Sequence, residues 1–359
     1  MRRNRNVGAM RMLFRQARLL IFFAMLVVPS SVVSSDLKWK SLPPIPDPIG
    51  FAAPFAGVSD GALIVAGGAN FPDAMPWDGG KKIWYDSIYV LPDAKGKWLT
   101  GFKLPRPLGY GISVSTSAGG ICAGGSDATH HFRDVFRLVW RTGKIETETL
   151  SPLPQPMANG SGALVGNTFY LAGGIERPDA TNALKTFWAL DVAASNSAWR
   201  ELPPWPGPAR MFAVAGATAD TFFLFGGVEM HADSNGKPVR RYLCDAYRFT
   251  PQKGWKRIAD IPRAVVAAPS PAILRDRKFL IVSGDDGVNV NFEPKSEHPG
   301  FPRTVLVYDP KTDSWSQSEN SPLSRATVPT VEWNQMAIIP NGEVRPGYRT
   351  PEVWGLELR

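Results

Sequence analysis

Six times along the chain an apolar run ends in a glycine or a glycine pair. The copies are LIVAGG to Gly68, ICAGG to Gly125, FYLAGG to Gly174, FFLFGG to Gly227, FLIVSG to Gly284 and MAIIPNG to Gly342. The closing glycines are 57, 49, 53, 57 and 58 residues apart. That period is one four-stranded blade of a kelch-type propeller, a unit that cannot bury its faces alone and must stack on its neighbours. The expected fold is all-β, a six-bladed kelch-type β-propeller. The 34 Gly and 33 Pro among 359 residues agree, because such punctuation leaves little room for long helices.

Each copy is followed by a second strand-like run: from Asp86, Asp134, Thr186, Asp245, Thr304 and Glu352. A Trp then opens a third run at Trp98, Trp199, Trp255 and Trp315, with a Pro-rich turn after it. The second copy has Ile145 in place of the Trp, and the sixth ends at Arg359 before reaching one. The missing piece stands near the other end, where LKWKSLPPIPDP around Trp39 has the spacing of a fourth strand. Residues 36–46 are therefore expected to supply the outer strand of the sixth blade. This closes the ring by pairing the chain ends and leaves no open sheet edge at the seam.

The net charge of +8 is concentrated at one end. Arg2, Arg3, Arg5, Arg11, Arg15 and Arg18 precede an apolar run from Leu19 to Val28, and no acid occurs before Asp36. A basic start, a short apolar run and small residues at Val33 and Ser35 are the layout of a signal peptide over residues 1–35, too short in its apolar part for a stable anchor. Residues 36–359 are expected to be a single propeller domain. Without the leader, 34 basic residues face 32 acidic ones. The mature protein is then nearly neutral, is expected to bind no nucleic acid and to keep no stable membrane insertion, and is exported.

Cys122 and Cys244 fall in different blades and are read as unbonded, buried thiols. Four scattered histidines (His130, His131, His231, His298) give no metal cluster, so neither metal nor cofactor is expected. Paired glycines and repeated Trp are read as packing, where backbone meets backbone and where one large ring fills the wedge between sheets.

Function on such a fold comes from its loops. In an up-and-down blade with strands a to d, the b-to-c and d-to-a connections emerge at one end of the channel. Five of the six b-to-c loops exceed what a hairpin needs: 69–85, 126–133, 175–185, 228–243 and 285–303. The d-to-a connections carry Arg106, Arg210, Arg263 and Arg325, which either brace neighbouring blades or make a partly cationic mouth for a small anion. Glu176, Glu229, Asp285 and Glu343 each stand one or two residues after a strand-b glycine and are candidates for proton transfer. Glu343 differs by its surroundings. The segment NGEVRPGYRT folds an acid and two arginines around a Pro346-Gly347 turn, which aims Glu343 and Arg349 at one small volume.

That segment, with GFAAPFAGVSDGALIVAGGANF and LPRPLGYGISV earlier, resembles the bacterial N-acetylneuraminate epimerases, also called sialic acid mutarotases. The resemblance runs over nearly the whole mature chain and is most specific at Gly-Glu-x-Arg-Pro-Gly-x-Arg. It implies a periplasmic six-bladed kelch propeller, with Glu343 as catalytic base and Arg349 as its partner at the sugar. Family members carry the motif well before their C-terminus, so this chain resembles a cyclically permuted form, which keeps the three-dimensional site because the propeller is closed. The blade-five loop, residues 285–303, is shorter than the family's insertion.

The reaction so implied is cofactor-independent interconversion of the anomers of a sugar acid. A carboxylate takes the proton of the anomeric hydroxyl, the ring opens to the keto form, and it recloses on the other face while an arginine holds the sugar carboxylate. Glu343 is the expected base and Arg349 the expected anion clamp. Arg106, Tyr110, Arg210, Arg325 and Tyr348 are further candidate substrate contacts, with Tyr348, Tyr110 or a water protonating the ring oxygen. The alternative is a secreted kelch module that binds a glycan or protein without turnover. Sialidase repeats of the form S-x-D-x-G-x-T-W are missing, and the histidines do not suit a copper oxidase.

Overall fold

The computed structural model describes residues 37–358 apart from residue 195. The leader assigned to residues 1–35 lies outside the described residues. Among the latter, six four-stranded antiparallel sheets form the blades, with three two-stranded hairpins beside them. Blade one runs Phe55–Ser59, Ala62–Ala66, Ser87–Leu91 and Leu99–Lys103, each strand hydrogen-bonded to the next. The other blades repeat this order. Blade six is assembled from both ends of the chain: Val331–Trp333, Met336–Pro340 and Val353–Glu357, then Trp39–Leu42. Trp39 stands opposite Leu356, and Ser41 opposite Trp354. The expected closure holds, and it satisfies the backbone groups along the edge of Val353–Glu357.

Strands alternate their side chains between two faces, and here both faces are covered by the adjacent blade. Each of the six blade interfaces accordingly has its own apolar cluster. Phe187, Phe222, Phe249 and Trp205 fill the wedge between blades three and four, and Phe225, Phe279, Tyr308 and Ile281 that between four and five. Each such buried apolar side chain stabilises by about 1.5–3 kcal/mol relative to exposure. In blades one, three, four and five the Trp of the outer strand also ties the blade to the one before it. Trp98 donates its indole N–H to Pro43 O, Trp199 to Ser151 O, Trp255 to Pro203 O and Trp315 to Ala259 O, at 2.8–2.9 Å. The packing role read for these Trp is thus joined by a hydrogen bond that their apolar bulk gave no sign of.

At the channel, six residues at equivalent places in the six blades form a closed belt of backbone hydrogen bonds. Tyr110 N–H donates to Ala53 O, Asn159 to Tyr110, Phe212 to Asn159, Ala267 to Phe212, Thr327 to Ala267, and Ala53 to Thr327, all at 2.6–3.0 Å. All six residues have left-handed backbone, with φ between 50° and 61°. That conformation costs a non-glycine residue about 1–2 kcal/mol, and here the belt holds it in place. Glycine is needed just outside. A Cβ on Gly173 would collide with Arg210 O, and Gly173 has φ 67°. Blades five and six place Ser283 and Asn341, also at positive φ, where the other blades have the first glycine of the pair, which is why those two copies of the sequence repeat look degraded.

Cys122 is buried and Cys244 partly so; both are free thiols, and burial pushes the Cys122 thiol far up from its ordinary range. Among the described residues no helix is long and apolar enough to cross a membrane.

Candidate active site

The b-to-c and d-to-a connections do emerge together, around a cavity of about 670 Å³ over the belt. Five of the six belt residues, Tyr110, Asn159, Phe212, Ala267 and Thr327, line it. The walls come from the loops, which are stiffened by short hairpins. Ala69–Asn70 pairs with Ile83–Trp84 in blade one, Val228–Ala232 with Pro238–Tyr242 in blade four, and Glu343–Arg345 with Tyr348–Arg349 in blade six. The last hairpin turns at Pro346 and Gly347, the latter at φ 83°, a value that suits glycine. It makes Glu343 and Arg349 direct cross-strand partners.

The Glu343 carboxylate is held from two sides. Arg349 Nη1 is 2.8 Å from Oε1, and the hydroxyl of Thr327, a belt residue, donates to Oε2 at 3.0 Å. The Arg349 side chain is only 2% exposed against 18% for Glu343. Its guanidinium lies against the Phe71 ring, 4.8 Å from the centroid. Nε and Nη1 are shielded from solvent and have no hydrogen-bond partner of good geometry. Arg349 also lines the cavity, but with its side chain only 2% exposed and Nη1 on Glu343 it is placed to orient the acid and offers little of itself to a ligand.

Register decides which loop acids face the cavity. Residue Glu343 forms a bridge with Ala326, and the equivalent bridges in the other blades join Ala52 to Ala69, Gly109 to Ser126, Ala158 to Ile175, Met211 to Val228 and Val266 to Asp285. Asp285 therefore shares the phase of Glu343, whereas Glu176 and Glu229 stand one residue further on. A one-residue shift in extended chain turns a side chain to the opposite face. Accordingly Asp285 and Glu343 line the cavity and Glu176 and Glu229 do not. Glu229 instead pairs with Arg241 at 2.6 Å across its hairpin. Reading all four acids as one recurring position was too coarse.

Asp285 accepts a hydrogen bond from the Tyr242 hydroxyl at 2.8 Å and one from Gly287 N–H at 2.9 Å. Burial, and then the Asp285 charge, push the Tyr242 phenol well above its usual range, so it stays protonated. His131 also lines the cavity, with burial lowering its pKa against the opposing effect of a contact to Ile175 O. Lys82, Arg240, Asp127 and Asp179 belong to the charged lining as well, with Asp285, Glu343 and Arg349. None of these carried a sequence signal of its own. His131, Tyr242 and Lys82 are single residues in loops of unequal length, and no repeat marks them.

The arginines of the d-to-a connections have other partners. Arg210 is 1% exposed and grips Asp245 with two bonds of 2.9 and 2.7 Å, besides bonding Gly226 O. Burial alone would raise the Asp245 pKa, but the Arg210 bonds and charge outweigh it and hold the carboxyl below its ordinary value. Arg325 pairs with Glu352 at 2.7 Å, Arg106 lies 3.5 Å from Asp134 and over the Phe132 ring, and Arg263 donates to Ser283 O. In each blade the arginine reaches the start of strand c or the end of strand b, which is the bracing arrangement, and none of the four lines the cavity. Tyr348 packs on Trp77 and under Arg345, outside the lining, while Tyr110 is within it. Among the described residues, no three His, Cys, Asp or Glu side chains converge in a way that would hold a metal ion.

Comparison with known proteins agrees with this architecture. The family model for N-acetylneuraminate epimerase matches residues 27–147 and 150–291, ending before the hairpin of Glu343 and Arg349. A Haemophilus influenzae (strain 86-028NP) protein named N-acetylneuraminate epimerase is 28% identical over 236 residues, 59% of this chain and 60% of that protein. One of the same name from Yersinia pestis (strain Pestoides F) is 28% identical over 232 residues, 58% of this chain and 57% of that protein. The matches therefore span about 60% of the length of these relatives. The solved structure of YjhT superposes with a TM-score of 0.63 over 87% of this chain and 95% of that one, at 16% identity, a likeness of fold.

Proposed function

The chain belongs to the N-acetylneuraminate epimerase family, and from that membership we propose that it interconverts the anomers of N-acetylneuraminate, with Glu343 as the proton-transferring group. The observation that carries this reading is the doubly held carboxylate: Glu343, fixed by buried Arg349 and by Thr327, facing a cavity large enough for a sugar acid. Holding the base in one geometry is how a bound sugar gains from proximity.

Glu343 takes the proton from the anomeric hydroxyl. The bond from the anomeric carbon to the ring oxygen breaks as the carbonyl forms, and the ring oxygen takes up the proton that Glu343 carries. Both oxygens sit on the same carbon, so one carboxyl reaches them in turn. After the carbonyl has turned, the same steps run backwards on its other face and restore the carboxylate. Arg349 acts through Glu343 as a positioning residue.

Export through cleavage of residues 1–35, and a periplasmic location, belong to the same proposal; mass spectrometry of the mature N-terminus tests the cleavage. The test of the activity is proton NMR of freshly released α-N-acetylneuraminate with purified protein. Exchange faster than the spontaneous rate is expected, and an unchanged rate overturns the reading. Binding without acceleration would favour a glycan-binding module instead.

A further inference from the structure

If Arg349 is committed to Glu343, the carboxylate of the substrate needs another cation. We propose that Lys82 is that anchor, a specificity-determining residue that selects a carboxylate-bearing sugar; the inference rests on the epimerase reading above.

Lys82 lines the cavity and sits at the open end of the blade-one hairpin, immediately before Ile83. Phe71 follows Asn70 on the other strand, so the ladder that pairs Asn70 with Ile83 brings Phe71 and Lys82 to the same end. The base of this hairpin is rigid. Asn70 is buried, donates to Gly50 O at 3.0 Å and accepts from the Tyr85 hydroxyl at 2.8 Å.

The ammonium of Lys82 lies 4.8 Å from the ring centroid of Tyr110, 5.5 Å from that of Trp84 and 5.8 Å from that of Phe71. Three aromatic rings attract a cation and fix its place, but they do not neutralise it. Among the described residues no carboxylate lies within ion-pair distance of it, in contrast to Arg349. Phe71 is shared, with the Arg349 guanidinium also stacked on it. One ring thus borders both a cation paired with the base and one without an ion-pair partner among the described residues. A half-buried point charge with three N–H donors, held on a stiff support in the same cavity as the base, is suited to a carboxylate attached to the reacting carbon.

The experiment compares binding of N-acetylneuraminate and of its neutral methyl ester by NMR titration, in the wild-type protein, Lys82→Met and Lys82→Arg. Wild type is expected to favour the acid. Lys82→Met should weaken acid binding by about ten-fold or more, the loss of one charge-assisted hydrogen bond, and leave the ester within about two-fold. Lys82→Arg should recover much of the preference. A thermal melt of Lys82→Met matching wild type confirms the fold. Equal acid binding by wild type and Lys82→Met overturns the anchor alone. Binding of neither ligand by wild type overturns the sialic acid reading and the anchor with it.

Discussion

Arg349 is buried, Glu343 is not, and the two meet at 2.8 Å across a hairpin whose strands are joined by Pro346 and Gly347. An acid that looks from the sequence like an exposed loop residue is therefore half of an ion pair whose other half has little access to water. Its removal has structural as well as chemical consequences.

Glu343→Gln should reduce anomer exchange to near the spontaneous rate. It should also destabilise the protein by about 1–3 kcal/mol, because the buried guanidinium loses its counter-charge while an amide oxygen keeps part of the contact. NMR exchange gives the first and urea unfolding the second. Native-rate exchange would end the assignment of Glu343, and Asp285, in the same phase, would be next to test.

Arg349→Lys keeps the charge and loses the planar group on Phe71. On the proposed positioning role of Arg349, kcat should fall by about ten-fold or more with KM changed by no more than a few-fold. A variant raised mainly in KM would restore the clamp role expected from the sequence.

Glu176→Gln and Glu229→Gln should leave exchange within about two-fold of wild type, since their side chains are out of phase with the cavity. A large loss in either would mean that the register comparison between blades does not govern function.

Acid should loosen the braces. The Asp245 pKa is depressed in the folded protein, so its stabilising contribution is present above the ordinary Asp value of about 3.9 and is lost as pH falls through the lower folded value. Glu352, pulled down by Arg325 against its burial, acts in the same direction. Asp245→Asn should be less stable than wild type at pH 6, with the gap narrowing below about pH 4, as read from urea midpoints across pH.

A chain starting after residue 46 lacks Trp39–Leu42 and exposes the edge of Val353–Glu357. It should lose cooperative unfolding or associate through that edge, which sedimentation and thermal melts distinguish from a monomeric, native-like melt.

The blade count, the seam and the face that carries the cavity were legible because they follow from a period and from strand parity. The pairing of Glu343 with Arg349 was legible because a Pro-Gly turn in a short segment leaves few alternatives. Partners distant in sequence were not. Arg210 and Arg325 read as braces or as ligands, with the brace only modestly favoured, until Asp245 and Glu352 are seen against them, 35 and 27 residues away. Thr327 and Lys82 reach the site through the ring closure and a hairpin register, neither of which leaves a mark on the residue itself.

The belt at the channel is made wholly from main-chain groups, so it is indifferent to which side chains it carries. Positions 53, 110, 159, 212, 267 and 327 hold Ala, Tyr, Asn, Phe, Ala and Thr, a set with no shared chemistry. Closure of the ring is thereby separated from the lining of the cavity, to which five of these six residues also contribute. The fold can vary the floor of the cavity one residue at a time, while an insertion of a single residue there would break a hoop that every blade completes.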